Sequence, residues 1–136
     1  MNLPAYGITS HCRYVGCRDG DTVILRVSWW PDAVVVRLMD CWCCECDDQR
    51  PIVKKAALAA KVFANEVLSN GGELSLHLPG HIFAKGLVKA LSFDRIPGHI
   101  FVGTEKTLSD MIVMSGHGWR TKDEQKAAEA KIMGPA

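Results

Sequence analysis

Residues 22–30 alternate, with Val23, Leu25, Val27 and Trp29 on one face and Thr22, Arg26 and Ser28 on the other. Period two is the spacing of a strand buried on one side. A strand over residues 10–18 precedes it across an Asp19-Gly20-Asp21 turn. Another over 33–41 follows it across Trp30-Pro31-Asp32-Ala33, where proline is preset for the second turn position. Then the period changes. Pro51 opens a helix at a position that tolerates proline. Val53, Ala56, Ala60, Phe63 and Val67 share one helical face, and Asn70-Gly71-Gly72 stops it.

Strands resume at 73–78. Residues 81–85 read as loop, and 87–93 with 99–102 read as a hairpin around Asp94-Arg95-Ile96-Pro97-Gly98. A second helix runs from Thr104, with Ser or Thr as its cap, to about Ser115. A short polar third helix covers 121–133. Short antiparallel strands with a helix inserted after the third predict a mainly β fold with α elements. The expected architecture is a five-stranded OB-fold barrel capped by three helices, in a single domain over residues 1–136.

Composition bounds the function class. Net charge is +1, so no broad basic field marks a nucleic-acid partner. No run approaches the roughly 18 apolar residues of a membrane span. The start, Met-Asn-Leu-Pro-Ala-Tyr-Gly, lacks the basic and apolar segments of a signal peptide, so the expected location is the cytoplasm. The 6 cysteines are then expected to be free thiols or ligands rather than disulfides.

The motifs carry more. Asp19-Gly20-Asp21-Thr22 opens the second strand, Val36-Arg37-Leu38 lies in the third, and Glu45 comes eight residues after the arginine. This order and spacing resembles the staphylococcal-nuclease (thermonuclease) family, whose pattern is D-G-D-T, then V-R-L-x-x-x-D-x-P-E. Residues 54–68 resemble its Ala-rich helix, 94–101 its D-x-x-G-R-x-L-A hairpin, 108–116 its L-x-x-x-L-V-x-x-G segment, and 124–134 its final helix.

The resemblance implies a five-stranded barrel with three helices that cleaves DNA and RNA with calcium. Two aspartates hold the metal, a glutamate acts on the attacking water, and two arginines grip the phosphate. Calcium is a hard ion that takes carboxylate oxygens and positions water against phosphate. Arginine presents a charged fork that fits phosphate oxygens. On this chain the resemblance makes Asp21 the first metal ligand, Arg37 the first phosphate clamp and Glu45 the catalytic glutamate. The second aspartate should lie five residues after Arg37, and that position is Trp42. The second arginine falls on Gly98, or on His99 if one residue is inserted.

Tryptophan cannot bind calcium, and a neutral histidine stabilises a phosphorane less than arginine does. Losing one transition-state charge contact costs on the order of 2.7–4 kcal/mol. Strong calcium-dependent cleavage is therefore not expected. Asp40 has the strand parity of Trp42, so a relocated metal site of Asp21, Asp40 and Glu45 is one expectation. Arg37 and Glu45 have a second reading, as an ion pair at the barrel mouth.

Cys41, Cys43, Cys44 and Cys46 form two overlapping C-x-x-C pairs, but no second pair follows at zinc spacing. Packing is their expected role. Trp29 is expected in the core, with Trp30 as the candidate for exposure or a partner contact. Lys54, Lys55, Lys61, Lys85 and Lys89 read mostly as solvated faces, and His81 and His117 as loop residues. The resemblance thus implies a nuclease-like domain for DNA or RNA with a degenerate site, in which Asp21 serves a divalent metal and Arg37, Glu45 and His99 serve catalysis, and spacing alone adds Asp40 to the metal. The alternative is a non-catalytic OB module that binds nucleic acid or a protein partner. A binding protein built on the cysteines is the third reading.

Overall fold

The Asp19–Thr22 turn pairs β1 (Gly7–Asp19) with β2 (Thr22–Arg26), and β3 (Val34–Leu38) returns along β2. The computed structural model describes residues 7–70, 72–80, 86–91 and 95–133. Among these, α1 (Pro51–Asn70), β4 (Leu74–Pro79), α2 (Leu87–Leu91), β5 (Ile96–Val102), β6 (Lys106–Thr107), α3 (Leu108–Met114) and α4 (Lys122–Met133) follow in turn.

Closure depends on β1. Its first half pairs with β4 and its second half with β2, with register irregularities between Tyr14 and Gly16 and between Cys17 and Asp19. Such bulges bend a strand and sharpen its twist. One strand therefore serves two sheet segments. The other closing seam is parallel, with Val36 beside Ile96, Arg37 beside Pro97 and Leu38 beside Gly98. The strand order β3-β2-β1-β4-β5 joins back on itself as a closed, mixed five-stranded barrel of OB type, with three helices longer than the single turn of α2. No described helix is long and apolar enough to cross a membrane.

The period-two strands fill the barrel. Val23, Leu25, Val36, Leu38, Leu76, Leu78 and Ile100 are almost fully buried. Each such side chain stabilises the fold by roughly 1.5–3 kcal/mol through burial. The helix α1 covers one opening with Val53, Ala57, Ala60, Ala64 and Leu68. That face is rotated slightly from the one expected, and Ala56, Phe63 and Val67 flank it half-buried. The small alanines let the helix axis approach closely. A Cβ on Gly20 would lie 2.9 Å from Ala60 Cβ and 3.0 Å from Cys43 Sγ, so the D-G-D turn fits under α1 only with glycine there.

The structure corrects several boundaries. Leu87–Leu91 is helical and not the first strand of a hairpin. Leu, Lys and Ala are strong helix formers. In addition, β5 is already paired with β4, β3 and β6, leaving no edge for another partner. The third strand ends at Leu38 because Asp40 turns the chain at φ 59°. The second helix begins after Thr107 rather than Thr104, since Lys106 and Thr107 first pair with β5. Thr107 Oγ1 then accepts from Asp110 N at 3.1 Å as the cap. Trp29 and Trp30 are both half-buried against the core, and Trp29 Nε1 donates to Ser10 Oγ at 3.0 Å. The expected loop at 81–85, with His81 and Lys85, lies outside the described residues, as do residues 92–94 and 134.

On the outer side of β4, His77 is buried and its Nδ1 lies 2.6 Å from Thr9 Oγ1, while Nε2 has no partner. Burial lowers its pKa from the ordinary histidine value, and its cross-strand neighbour His99 lowers it further. The unfolded chain then binds the proton more readily, so this contribution to stability is present above about pH 6.5 and is lost as pH falls. Urea unfolding should give a lower unfolding free energy at pH 5 than at pH 7.5, with a smaller difference in His77→Gln. An unchanged difference would remove His77 as its source.

Candidate functional site

A cleft of about 200 Å³ opens where the D-G-D-T turn, the end of β3, the cysteine-rich loop and α4 meet. Asp21, Arg37 and Glu45, three of the expected site residues, all line it. The structure brings them together, but not in the roles that the family pattern implies.

Asp21 is 5% exposed. Its Oδ2 accepts from Cys43 N at 2.8 Å, and its Oδ1 accepts from the Thr22 hydroxyl at 3.4 Å. Its neighbour Asp19 accepts from Cys46 N at 2.8 Å through Oδ1. The two carboxylates of the turn thus hold two backbone amides of the C-W-C-C-E-C loop. Burial raises the pKa of Asp21 from its ordinary value, while Arg37 and the Cys43 amide oppose that shift.

Arg37 faces its own chain. Its Nη1 donates to Leu38 O and to Cys41 O, the latter at 2.8 Å. Its Nη2 lies 3.5 Å from Asp21 Oδ2 and makes no hydrogen bond. The Trp42 ring lies 4.0 Å from its Cζ, a cation–π contact. The guanidinium therefore braces the turn after β3. Its ion partner is Asp21, and Glu45 is exposed. The expected Arg37–Glu45 pair is not formed.

Trp42 is fixed by a two-way backbone bridge to Trp119, with N···O distances of 2.7 and 2.9 Å. Lys122 Nζ reaches 5.5 Å from the same ring. The position where the family pattern has a metal-binding aspartate is thus occupied by a ring that contacts two cations.

Asp40 and His99 stand outside the cleft lining. Strand parity fails for Asp40 because the strand has already ended, and the residue is exposed at a left-handed turn. His99 points outward from β5, half-buried across from His77. Its pKa is lowered by burial, against an opposing influence of Asp40 and Asp110. Gly98 faces inward, where a Cβ would meet Leu78 Cδ2 at 3.0 Å and His77 O at 3.1 Å, so that position has no room for an arginine.

Calcium takes six to eight oxygen ligands. Among the described residues no three of the His, Cys, Asp and Glu side chains are placed to hold a metal ion together. With Asp21 engaged by a backbone amide, Trp42 in the second ligand position and Asp40 turned away, the donor set does not fit calcium. The cysteines pack. Cys41 and Cys43 lie in the main core with Sγ atoms 3.9 Å apart, and Cys44 packs with Val53 and Ala57. Burial pushes the Cys44 thiol up to about 11.

The remaining wall comes from residues that the motif reading passed over. Lys122, Gln125, Lys126 and Glu129 project into the cleft from α4 at helical spacing. Gln125 and Glu129 are buried. Arg50 grips Asp48 through two nitrogens at 2.8 and 3.0 Å and reaches Glu129 at 3.3 Å. These hydrogen bonds hold the Asp48 carboxyl down at about 2. Arg95, at the foot of β5, completes the rim. The available signal was the polar i, i+3, i+4, i+7 face of α4, because a polar stripe that becomes buried needs charged neighbours.

Compared with models of known protein families, the chain matches none, and a comparison with curated proteins gives no match.

Removing one partner of a buried ion pair leaves the other uncompensated and costs roughly 3–5 kcal/mol. Arg37→Ala and Asp21→Ala should each lower the unfolding free energy by about 3 kcal/mol. Glu45→Ala should change it by less than about 0.5 kcal/mol. Denaturant titration of the three variants measures this, and a neutral Arg37→Ala would show that the brace is not structural.

Proposed function

We propose that this chain is a non-catalytic OB-fold module that binds the phosphate backbone of single-stranded DNA or RNA at the cleft. The observation that carries the reading is Trp42, which sits where the family pattern has a metal carboxylate and stacks on Arg37 instead. Cations outnumber the carboxylates that remain unpaired on the rim. Asp21 is matched by Arg37, and Asp48 and Glu129 by Arg50. Arg95 and Lys126 make no ion pair among the described residues, and Lys122 contacts only the Trp42 ring.

Three cations beside a fixed aromatic ring suit a single strand. Phosphates meet the charges, and a base finds a π surface nearby. Asp19 and Glu45 share the cleft, so the net field is modest and the affinity should be weak and strongly salt-dependent.

Hydrolysis is the second reading. It is favoured by the exposed carboxylate of Glu45, which lies in the same cleft as Asp21.

Fluorescence anisotropy with a labelled oligothymidylate of about four nucleotides, short enough to occupy the cleft alone, tests the first reading. For three phosphate contacts, the plot of log K against log salt should have a slope of about −2, at about −0.7 per contact. Lys122→Glu with Lys126→Glu should abolish binding. Binding that ignores salt, or that survives this charge reversal, would contradict the reading.

A further inference from the structure

The register of β1 and β2 places Arg13 directly opposite Arg26. Like charges in that position are destabilising. Both residues are exposed, and neither is hydrogen-bonded or ion-paired among the described residues. Glu73, which reaches this end of β1, is engaged with His11 at 3.3 Å. Elsewhere Arg37, Arg50 and Arg120 each have a carboxylate partner. Among the described residues, no salt bridge joins either arginine of this pair to a carboxylate.

The pair also borders a concavity. Below Arg13, β1 leaves β2 to pair with β4, and the chain after Arg26 leaves the ladder. The splay opens a notch of about 370 Å³ walled by His11, Cys12, Arg13, Arg26, Val27 and Ser28. It is separate from the cleft at Asp21, and the two share no lining residue.

The strand β2 runs from one to the other. Thr22 pairs with Arg37 at the cleft end, and Arg26 lies four residues further along the same strand and the same face. Four residues at about 3.3 Å each separate the two levels by about 13 Å. Between them lie Gly16, Ile24 and Val35, paired across the three strands. Ile24 and Val35 are half-buried, and the space above Gly16 is open, since a Cβ there would meet nothing within 4 Å. An apolar step therefore separates the cleft end of β2 from the arginine pair.

We propose that Arg13 and Arg26 form a second phosphate subsite, which holds the same single strand as it leaves the cleft across the outer face of β1, β2 and β3. The proposal rests on the binding reading given above. A span of about 13 Å corresponds to about four stacked nucleotides at about 3.4 Å each. That falls at the short end of the roughly 4–16 nucleotides held per OB fold. The apolar step at Ile24 and Val35 suits sugars and base faces, and the open space at Gly16 admits them.

The test is the salt slope for an oligothymidylate of about twelve nucleotides, a length chosen to exceed the span. Arg13→Gln with Arg26→Gln should make the slope shallower by about 1.4, two contacts at about 0.7 each. Arg13→Lys with Arg26→Lys should keep the wild-type slope. The thermal midpoint of the glutamine variant should stay level or rise, since a like-charge pair has been removed. A wild type that binds with a slope unchanged in the glutamine variant would overturn the subsite and leave the cleft reading standing. A lysine variant as impaired as the glutamine variant would also overturn it, because the role would not be one of charge. A wild type that binds no oligonucleotide would remove both readings. Competition by polyglutamate as effective as that by the oligonucleotide would reassign the track to an acidic polypeptide.

Discussion

Two carboxylate oxygens hold the cysteine-rich loop in place. Asp21 accepts from the amide of Cys43 and Asp19 from the amide of Cys46, both at 2.8 Å. Once these bonds form, Cys43 is delivered to the core beside Cys41, and Gly20 is pressed against Ala60 of α1. Trp42, between the two buried cysteines, faces the other way and meets Arg37. The guanidinium is then committed to the carbonyls of Leu38 and Cys41. Buried amides and charged groups need partners, and here the carboxylates and carbonyls supply most of them, with Arg37 Nη2 left without a hydrogen bond.

This network limits what the D-G-D-T and V-R-L residues can do. In a metal-dependent phosphodiesterase the carboxylates of such a turn face an ion and the arginine faces the substrate. Here Asp21 and Arg37 face each other and the backbone. The exposed charges of the cleft include Arg95, Lys122 and Lys126, together with the carboxylate of Glu45. Binding asks only for cations near an anionic strand, whereas hydrolysis asks for charge placed at the reacting phosphorus. The proposal of binding rests on that difference.

The barrel was legible in the sequence because its signals are local. Val23, Leu25 and Val27 repeat at period two, the D-G turn is short, and Pro51 and Asn70-Gly71 bracket α1. The failures have non-local causes. Residues 87–93 alternate weakly, and among them Leu87–Leu91 is helical while β5 pairs with β3, β4 and β6 instead. Asp40 obeys strand parity only if the strand continues, and one left-handed residue ends it. Asp21, Arg37 and Glu45 lie in one cleft because motif spacing along paired strands fixes proximity. Spacing did not fix which way Arg37 points, since that depends on the carbonyls of Leu38 and Cys41 in the turn after β3. The face of α4 was missed because a helix that docks through Gln125 and Glu129 carries no apolar stripe.

We propose that the amide-capped carboxylates and Trp42 leave a site that binds without cleaving. Turnover of end-labelled single-stranded DNA and RNA by the folded protein, with calcium, magnesium, manganese or chelator and beside Glu45→Gln, tests this. Intact substrate is expected in every metal. Metal-dependent cleavage that disappears in Glu45→Gln would show instead that the site is catalytic and that the network opens to admit an ion.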